Sequence, residues 1–160
     1  MQTLTNGILT VNVKEHGAEL SSIIKNGTEY LWQADPAFWG RHSPVLFPIV
    51  GSVWEARYRV DGKEYALGQH GFARDMDFEL VSRTDAEARF RLVSNQDTLK
   101  KYPWPFVLEI AYRLHGDSID VIWICISRLV PILHSIILIT ILSLLLVAPC
   151  HLTGVKAFSA

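Results

Sequence analysis

The chain has 160 residues, 15 lysines and arginines against 16 aspartates and glutamates, a formal net charge of −1, and 49% hydrophobic residues. That length suits one domain with a real core. The near-neutral balance excludes a strongly cationic nucleic-acid binder, which needs clustered Lys and Arg to neutralise phosphates. The averages hide a step. All 16 acidic residues lie at or before Asp120, and beyond it the charged side chains are Arg128 and Lys156. The sequence therefore divides into a charged front unit, residues 1–121, and a hydrophobic remainder, residues 122–160.

Met1 to Glu15 has no basic segment followed by an apolar run, so no signal peptide is expected. Asn6-Gly7 separates Thr3–Thr5 from Ile8–Val11. Asn26-Gly27 separates Leu20–Lys25 from Thr28–Trp32. Asp61-Gly62 separates Tyr58–Val60 from Lys63–Leu67. Each dipeptide suits a type I′ hairpin turn, whose two central residues both need positive φ. Between the second and third turns lies Asp35–Gly51, DPAFWGRHSPVLFPIVG. Its prolines and large aromatics surround Arg41 and His42, and it reads equally as a binding loop or as a plug capping the sheets.

Asp77–Ser82 and Glu87–Val93 form the next hairpin. Ala88, Phe90 and Leu92 alternate with Arg89, Arg91 and Val93, so one face is apolar. Gln96–Lys101 is the one expected helix of the front unit, entered by Ser94 or Asn95 as cap and stopped by Pro103. Phe106–Leu114 and Ser118–Ile124 pair around the His115-Gly116-Asp117 turn. Short strands with frequent turns predict an all-β sandwich. Both cysteines, Cys125 and Cys150, fall in the remainder. A small secreted domain would need a disulfide framework, so the front unit reads as cytoplasmic. Two cysteines without ligand spacing make no zinc site.

Leu129–Ala148 carries no formal charge over a length that fits a transmembrane helix. Two other readings stand beside a membrane anchor. One is a tail of the kind that a frameshift produces, and the other is a buried core helix.

Candidate chemistry gathers in Gln69–Asp75, QHGFARD. His70 titrates near neutrality and can give or take a hydrogen bond. Gly71 permits close approach or an unusual backbone angle. Arg74 supplies fixed, always-charged donors. Together they can grip a polyhydroxylated substrate. The plainer reading is a histidine satisfied by backbone and an arginine paired with Asp75 or Asp77. Arg41 and His42 are a second pair. His16 and His115 fall at turns. Trp32, Trp39, Trp54 and Trp104 offer apolar faces that suit the C–H face of a sugar, although tryptophans in a small domain are more often core. No nucleophile elbow, Walker loop or GxGxxG occurs.

GAELSSIIKNGTEYLWQADPAFWGRHSPVLFPIVG and YRVDGKEYALGQHGFARDMDFEL together resemble the aldose 1-epimerase (galactose mutarotase-like) superfamily, in particular a bacterial branch with an HGFAR-type motif. KKYPWPF followed by a strand fits as well. The match runs from about Leu4 to Val121. It implies that the front unit is the front portion of a β-supersandwich longer than this chain, and the hydropathy of the remainder predicts a hydrophobic, helical C-terminal tail unlike the family.

The resemblance implies an isomerase that interconverts the α and β anomers of an aldose. A base takes the proton of the C1 hydroxyl, an acid protonates the ring oxygen, the ring opens, and closure delivers the other anomer. This is general acid–base chemistry without metal or nucleotide cofactor. His70 matches a family histidine that holds the sugar near its ring oxygen, and it is the catalytic candidate. Arg41, His42 and Arg74 are candidates for contacts to an aldose or aldose phosphate.

The family's acid is a histidine in an HPxF-type motif, and its base is a late glutamate. Neither follows Val121 in this sequence, so the chain is expected to have little or no mutarotase activity. A non-catalytic carbohydrate-binding sandwich and a membrane-tethered domain are the alternatives.

Overall fold

The computed structural model describes residues 1–127, together with the backbone of a two-residue strand at Ala157–Phe158. Strands β1 (Gln2–Thr5), β2 (Leu9–Val13), β3 (Leu20–Lys25) and β4 (Thr28–Glu29) form an antiparallel sheet in chain order. A separate hairpin, β5 (Arg57–Val60) and β6 (Lys63–Ala66), follows the irregular segment 30–56. The larger sheet holds β7 (Glu79–Arg83), β8 (Glu87–Val93), β9 (Phe106–His115) and β10 (Ser118–Ser127), all antiparallel. The short strand β11 (Ala157–Phe158) joins its edge in parallel to β10 at Trp123 and Ile124. Helix α1 (Gln96–Lys101) links β8 to β9.

Two of the three expected hairpin turns have the backbone their dipeptides favour. Asn26 and Gly27 take φ of 52° and 78°, and Asp61 and Gly62 take 48° and 76°. The first turn differs. Only Gly7 is left-handed there, and Ile8 belongs to the connection rather than to β2. The cause is the Asn6 side chain, whose Oδ1 accepts the N–H groups of Ile8 (3.1 Å) and Leu9 (2.9 Å). Such a side-chain turn replaces the two-residue type I′ geometry.

Helix α1 forms where expected, and Asn95 is its cap. Asn95 Oδ1 accepts the N–H groups of Asp97 and Thr98, each at 2.9 Å. The Thr98 hydroxyl accepts the Asn95 N–H at 2.8 Å, completing a reciprocal cap. Asp97 lies in the first turn and Lys100 and Lys101 in the last, in keeping with the helix dipole. Tyr102, ahead of Pro103, is extended and ends the helix.

One hydrophobic cluster joins the two sheets. Leu4, Leu9, Val11 and Val13 face Phe90, Leu108 and Ile110, all essentially without solvent contact. Each such side chain contributes about 1.5–3 kcal/mol by leaving water. On β8, Ala88, Phe90 and Leu92 are buried while Val93 is 49% exposed, as the alternation predicts. Arg89 and Arg91 lie on the opposite face and both pair with Glu109 of β9, at 3.0 and 2.8 Å. The Tyr112 hydroxyl donates to the Ala18 carbonyl at 2.7 Å, a polar rivet between the sheets.

Strand β10 keeps its pairing with β9 through Ser127 opposite Phe106, six residues past the composition step at 121. The run Leu129–Ala148, read above as helical and as a candidate span, lies outside the described residues. Among the described residues no helix is long and apolar enough to cross a membrane.

Candidate functional site

The two motifs that stand out in the sequence pack directly on each other. Phe47, in SPVLFPIVG, is buried, and its carbonyl accepts the N–H groups of Phe72 (2.9 Å) and Ala73 (3.3 Å) of HGFAR. Phe47, Phe72, Tyr102 and Phe106 form an aromatic cluster beneath this junction, with ring centroids 4.8–6.1 Å apart. Gly71 makes the approach feasible. It has φ of +72°, and a Cβ there would stand 2.1 Å from the Phe47 carbonyl oxygen. At its other end the loop is strapped to β3, where the Ser43 hydroxyl donates to the Leu20 carbonyl at 3.1 Å. Segment 43–49 is therefore a buried plug, while Phe38 and Trp39 just before it are 81% and 50% exposed.

His70 and Gly51 bind each other twice. The His70 N–H donates to the Gly51 carbonyl at 2.7 Å, and the Gly51 N–H donates to His70 Nδ1 at 2.9 Å. His70 itself is left-handed, with φ of 63°. Because Nδ1 accepts, a neutral ring carries its proton on Nε2. Nε2–H has no hydrogen-bond partner among the described residues. Burial and then the neighbouring Arg74 cation push the His70 pKa below the ordinary histidine value. The ring is accordingly a neutral, oriented Nε2–H donor at pH 7.

Arg74 and Arg41 meet at Asp75. Arg41 Nη2 donates to Asp75 Oδ1 at 2.7 Å. Arg74 Nε lies 3.6 Å from Asp75 Oδ2, and Arg74 Nη2 donates to the Gln69 carbonyl at 3.1 Å. Arg74 Nε is itself buried without a hydrogen-bond acceptor among the described residues. One carboxylate thus stands between two guanidiniums beside a histidine. Three of the four candidates, His70, Arg74 and Arg41, share this corner.

His42 is placed differently. Its backbone N–H donates to Glu19 Oε1 at 3.0 Å, and its Nδ1 lies 3.3 Å from Lys14 Nζ. Burial and Lys14 lower its pKa. It belongs to a Lys14–Glu19–His42 cluster behind the loop. The plainer expectation, a histidine satisfied by backbone and an Arg74 paired with Asp75, matches these contacts; what the sequence did not point to is that the backbone partner is Gly51 and that Asp75 also takes Arg41. Gly51 closes the SPVLFPIVG motif, so its presence in that motif was the available signal.

A cavity of about 220 Å³ opens beside this corner, lined by Gly71, Phe72, Asp75, Met76, Asp97, Thr98 and Lys101. It touches Asp75 but takes in none of His70, Arg41 and Arg74. Among the described residues no cluster of His, Cys, Asp and Glu is arranged to hold a metal ion.

With this mostly β fold and its HGFAR turn plugged by an FPxxG loop, the aldose 1-epimerase family model matches residues 1–123. The chain belongs to that family. It is 41% identical over 123 residues to the chromosomal and plasmid forms of protein LacX from Lactococcus lactis subsp. lactis. That match covers 72% of this chain and 41% of each relative. The chain thus spans about two fifths of the length of the curated relatives it matches.

Among solved structures, it is similar to a galactose mutarotase related enzyme from Lactobacillus acidophilus, with 43% identity and a TM-score of 0.71 over 72% of this chain and 39% of that one. A galactose mutarotase-like protein from Lactobacillus casei ATCC 334 gives 38% identity and a TM-score of 0.72, covering 74% of this chain and 41% of that one.

Proposed function

We propose that residues 1–123 form the sugar-holding corner of an aldose 1-epimerase-type site. The observation that carries this reading is the reciprocal Gly51–His70 pair. It occupies Nδ1, fixes the ring and leaves Nε2–H as a donor for an oxygen of the sugar ring. Arg41 and Arg74 present further N–H groups around Asp75 to hydroxyls or to a phosphate. His42, tied to Lys14 and Glu19, holds the Arg41 segment from behind rather than touching sugar. No cofactor enters the scheme, and the setting is cytoplasmic.

Anomer exchange also needs an acid for the ring oxygen and a base for the C1 hydroxyl. Losing one such group typically costs about 100- to 10,000-fold in rate. The family's HPxF histidine and late glutamate have no counterpart within these 160 residues, which hold no Asp or Glu after Asp120. The reading for this polypeptide is therefore binding with little mutarotation. The absence of an acid–base pair from the described corner also favours a carbohydrate-binding module as the second reading. Both hold the front unit, 1–121, to be the functional part. That the family match ends at residue 123, close to the composition step, supports this division.

Two measurements on the 160-residue chain test the proposal. Calorimetric titration with aldoses and aldose 6-phosphates should show saturable millimolar binding that is weakened about tenfold or more in His70→Ala. Polarimetry with fresh α-galactose or α-glucose should show a rate near that of buffer. Absence of binding would end the sugar reading. A fast mutarotation lost in His70→Ala would replace the binding reading with catalysis.

A further inference from the structure

Building on the sugar-holding reading, we infer that Trp54 is a further substrate-binding residue, whose indole is the apolar platform for the pyranose ring. Trp54 is 84% exposed, more than any other large hydrophobic residue among those described. It has no aromatic partner there. Trp32, Phe38 and Trp39, by contrast, satisfy one another: Trp32 packs edge-on to Phe38 at 6.3 Å, and its Nε1–H donates to the Trp39 carbonyl at 2.9 Å. An indole held in water without a neighbour contributes nothing to the core.

The backbone holds Trp54 in that position at a cost. Glu55 and Ala56, which follow it, are both left-handed, with φ of 49° and 54°. Two consecutive residues with a Cβ in that region are strained, and strain of this kind collects at ligand-binding positions. Packing does not offset it, because none of Trp54–Ala56 is buried. The turn is nonetheless fixed. Ala56 N–H donates to the Val53 carbonyl at 3.1 Å, and the N–H of the buried Leu67 donates to the Ala56 carbonyl at 2.9 Å.

The same loop connects Trp54 to His70. Gly51, clasped to the histidine ring, lies three residues upstream, and three residues span at most about 11 Å. Trp54 therefore lies within about 11 Å of the Gly51 clasp that orients His70. A pyranose offers a hydrophobic face of C–H groups and, at its edge, a ring oxygen and hydroxyls. An exposed aromatic face on the loop that clasps the histidine suits the first, and the oriented N–H donor suits the second.

The test uses the full 160-residue chain, with the Trp54→Ala, Trp54→Phe and His70→Ala variants, titrated with galactose and glucose. Affinity is read by calorimetry and tryptophan emission by fluorescence. Trp54→Ala should weaken aldose binding about fivefold to tenfold, and Trp54→Phe should stay within about threefold of the parent. The sugar-induced change in emission should vanish in Trp54→Phe although binding persists, a signature that a merely structural role would not produce. Unchanged binding in Trp54→Ala, or an emission change that survives in Trp54→Phe, overturns the inference while leaving a His70-dependent site intact. No aldose binding by the parent chain overturns the sugar-holding reading and this inference with it.

Discussion

Gly71 and Gly27 both have positive φ, at 72° and 78°, yet they differ in what surrounds them. A Cβ at Gly27 meets nothing within 4 Å, whereas at Gly71 it meets the Phe47 carbonyl oxygen at 2.1 Å. Gly27→Ala should cost about 1 kcal/mol from backbone strain alone. Gly71→Ala should cost about 3 kcal/mol or more, because the FPxxG plug must also move. Urea midpoints of the two variants check the difference.

The histidines give a second prediction at this scale. His42 and His70 both have folded pKa values below the ordinary one, chiefly through burial. The unfolded chain, with ordinary histidines near 6.5, binds protons first as pH falls. Their contribution to stability is therefore present above about pH 6.5 and is lost as pH drops from there through the lowered folded values. Thermal unfolding between pH 7.5 and 5 should show a falling midpoint, and the His42→Gln, His70→Gln double variant should flatten that fall.

At the level of elements, helix α1 depends on its first turn. Six residues are too few for a helix to persist alone in water. Its reciprocal Asn95–Thr98 cap does much of the ordering, and the Tyr58 hydroxyl ties the helix end to the β5–β6 hairpin through the Lys101 carbonyl at 2.7 Å. Asn95→Ala should lower stability by about 1 kcal/mol. Chemical denaturation reads that loss, and Asn95→Ser, which restores an acceptor, should recover most of it.

These elements were legible because their signals are local. Asn-Gly and Asp-Gly mark turns through backbone preference, and Asn95 and Pro103 bracket the helix. The one misread turn, at Asn6, shows the limit, since there a side chain displaced the backbone rule. Contacts at the site were less legible. Arg41 reaches Asp75 across 34 residues of sequence, and Gly51 reaches His70 across 19. No periodicity encodes such distances: local chemistry marked His70 with Arg74 and Arg41 with His42 as two separate pairs, and nothing in their spacing said that Arg41 joins the first. His42 stood beside Arg41 in the sequence, and the structure turns it towards Lys14 and Glu19 instead.

For the whole molecule, the charge step and the end of the family match fall within a few residues of each other, at Asp120 and residue 123. Strand β10 nevertheless continues through both with its pairing intact to Ser127. Cys125 and Ile126 are apolar enough to extend a strand whatever follows them. Composition marks where the kind of sequence changes, and the hydrogen-bond ladder follows backbone geometry, so the two boundaries need not coincide.

The Gly51–His70 pair has a consequence for the architecture around it. Leu67 bonds to Ala56 just inside it, and β5 and β6 continue the pairing inward from Arg57 opposite Ala66 to Val60 opposite Lys63. Residues 51–70 thus form a zipped arm whose mouth is the histidine clasp and whose tip is Asp61-Gly62. The mouth is closed by its own rungs, so its geometry is decoupled from the arm's length. Residues added at the tip pay loop entropy there alone. The arm can grow or shrink between relatives while the histidine stays where it is.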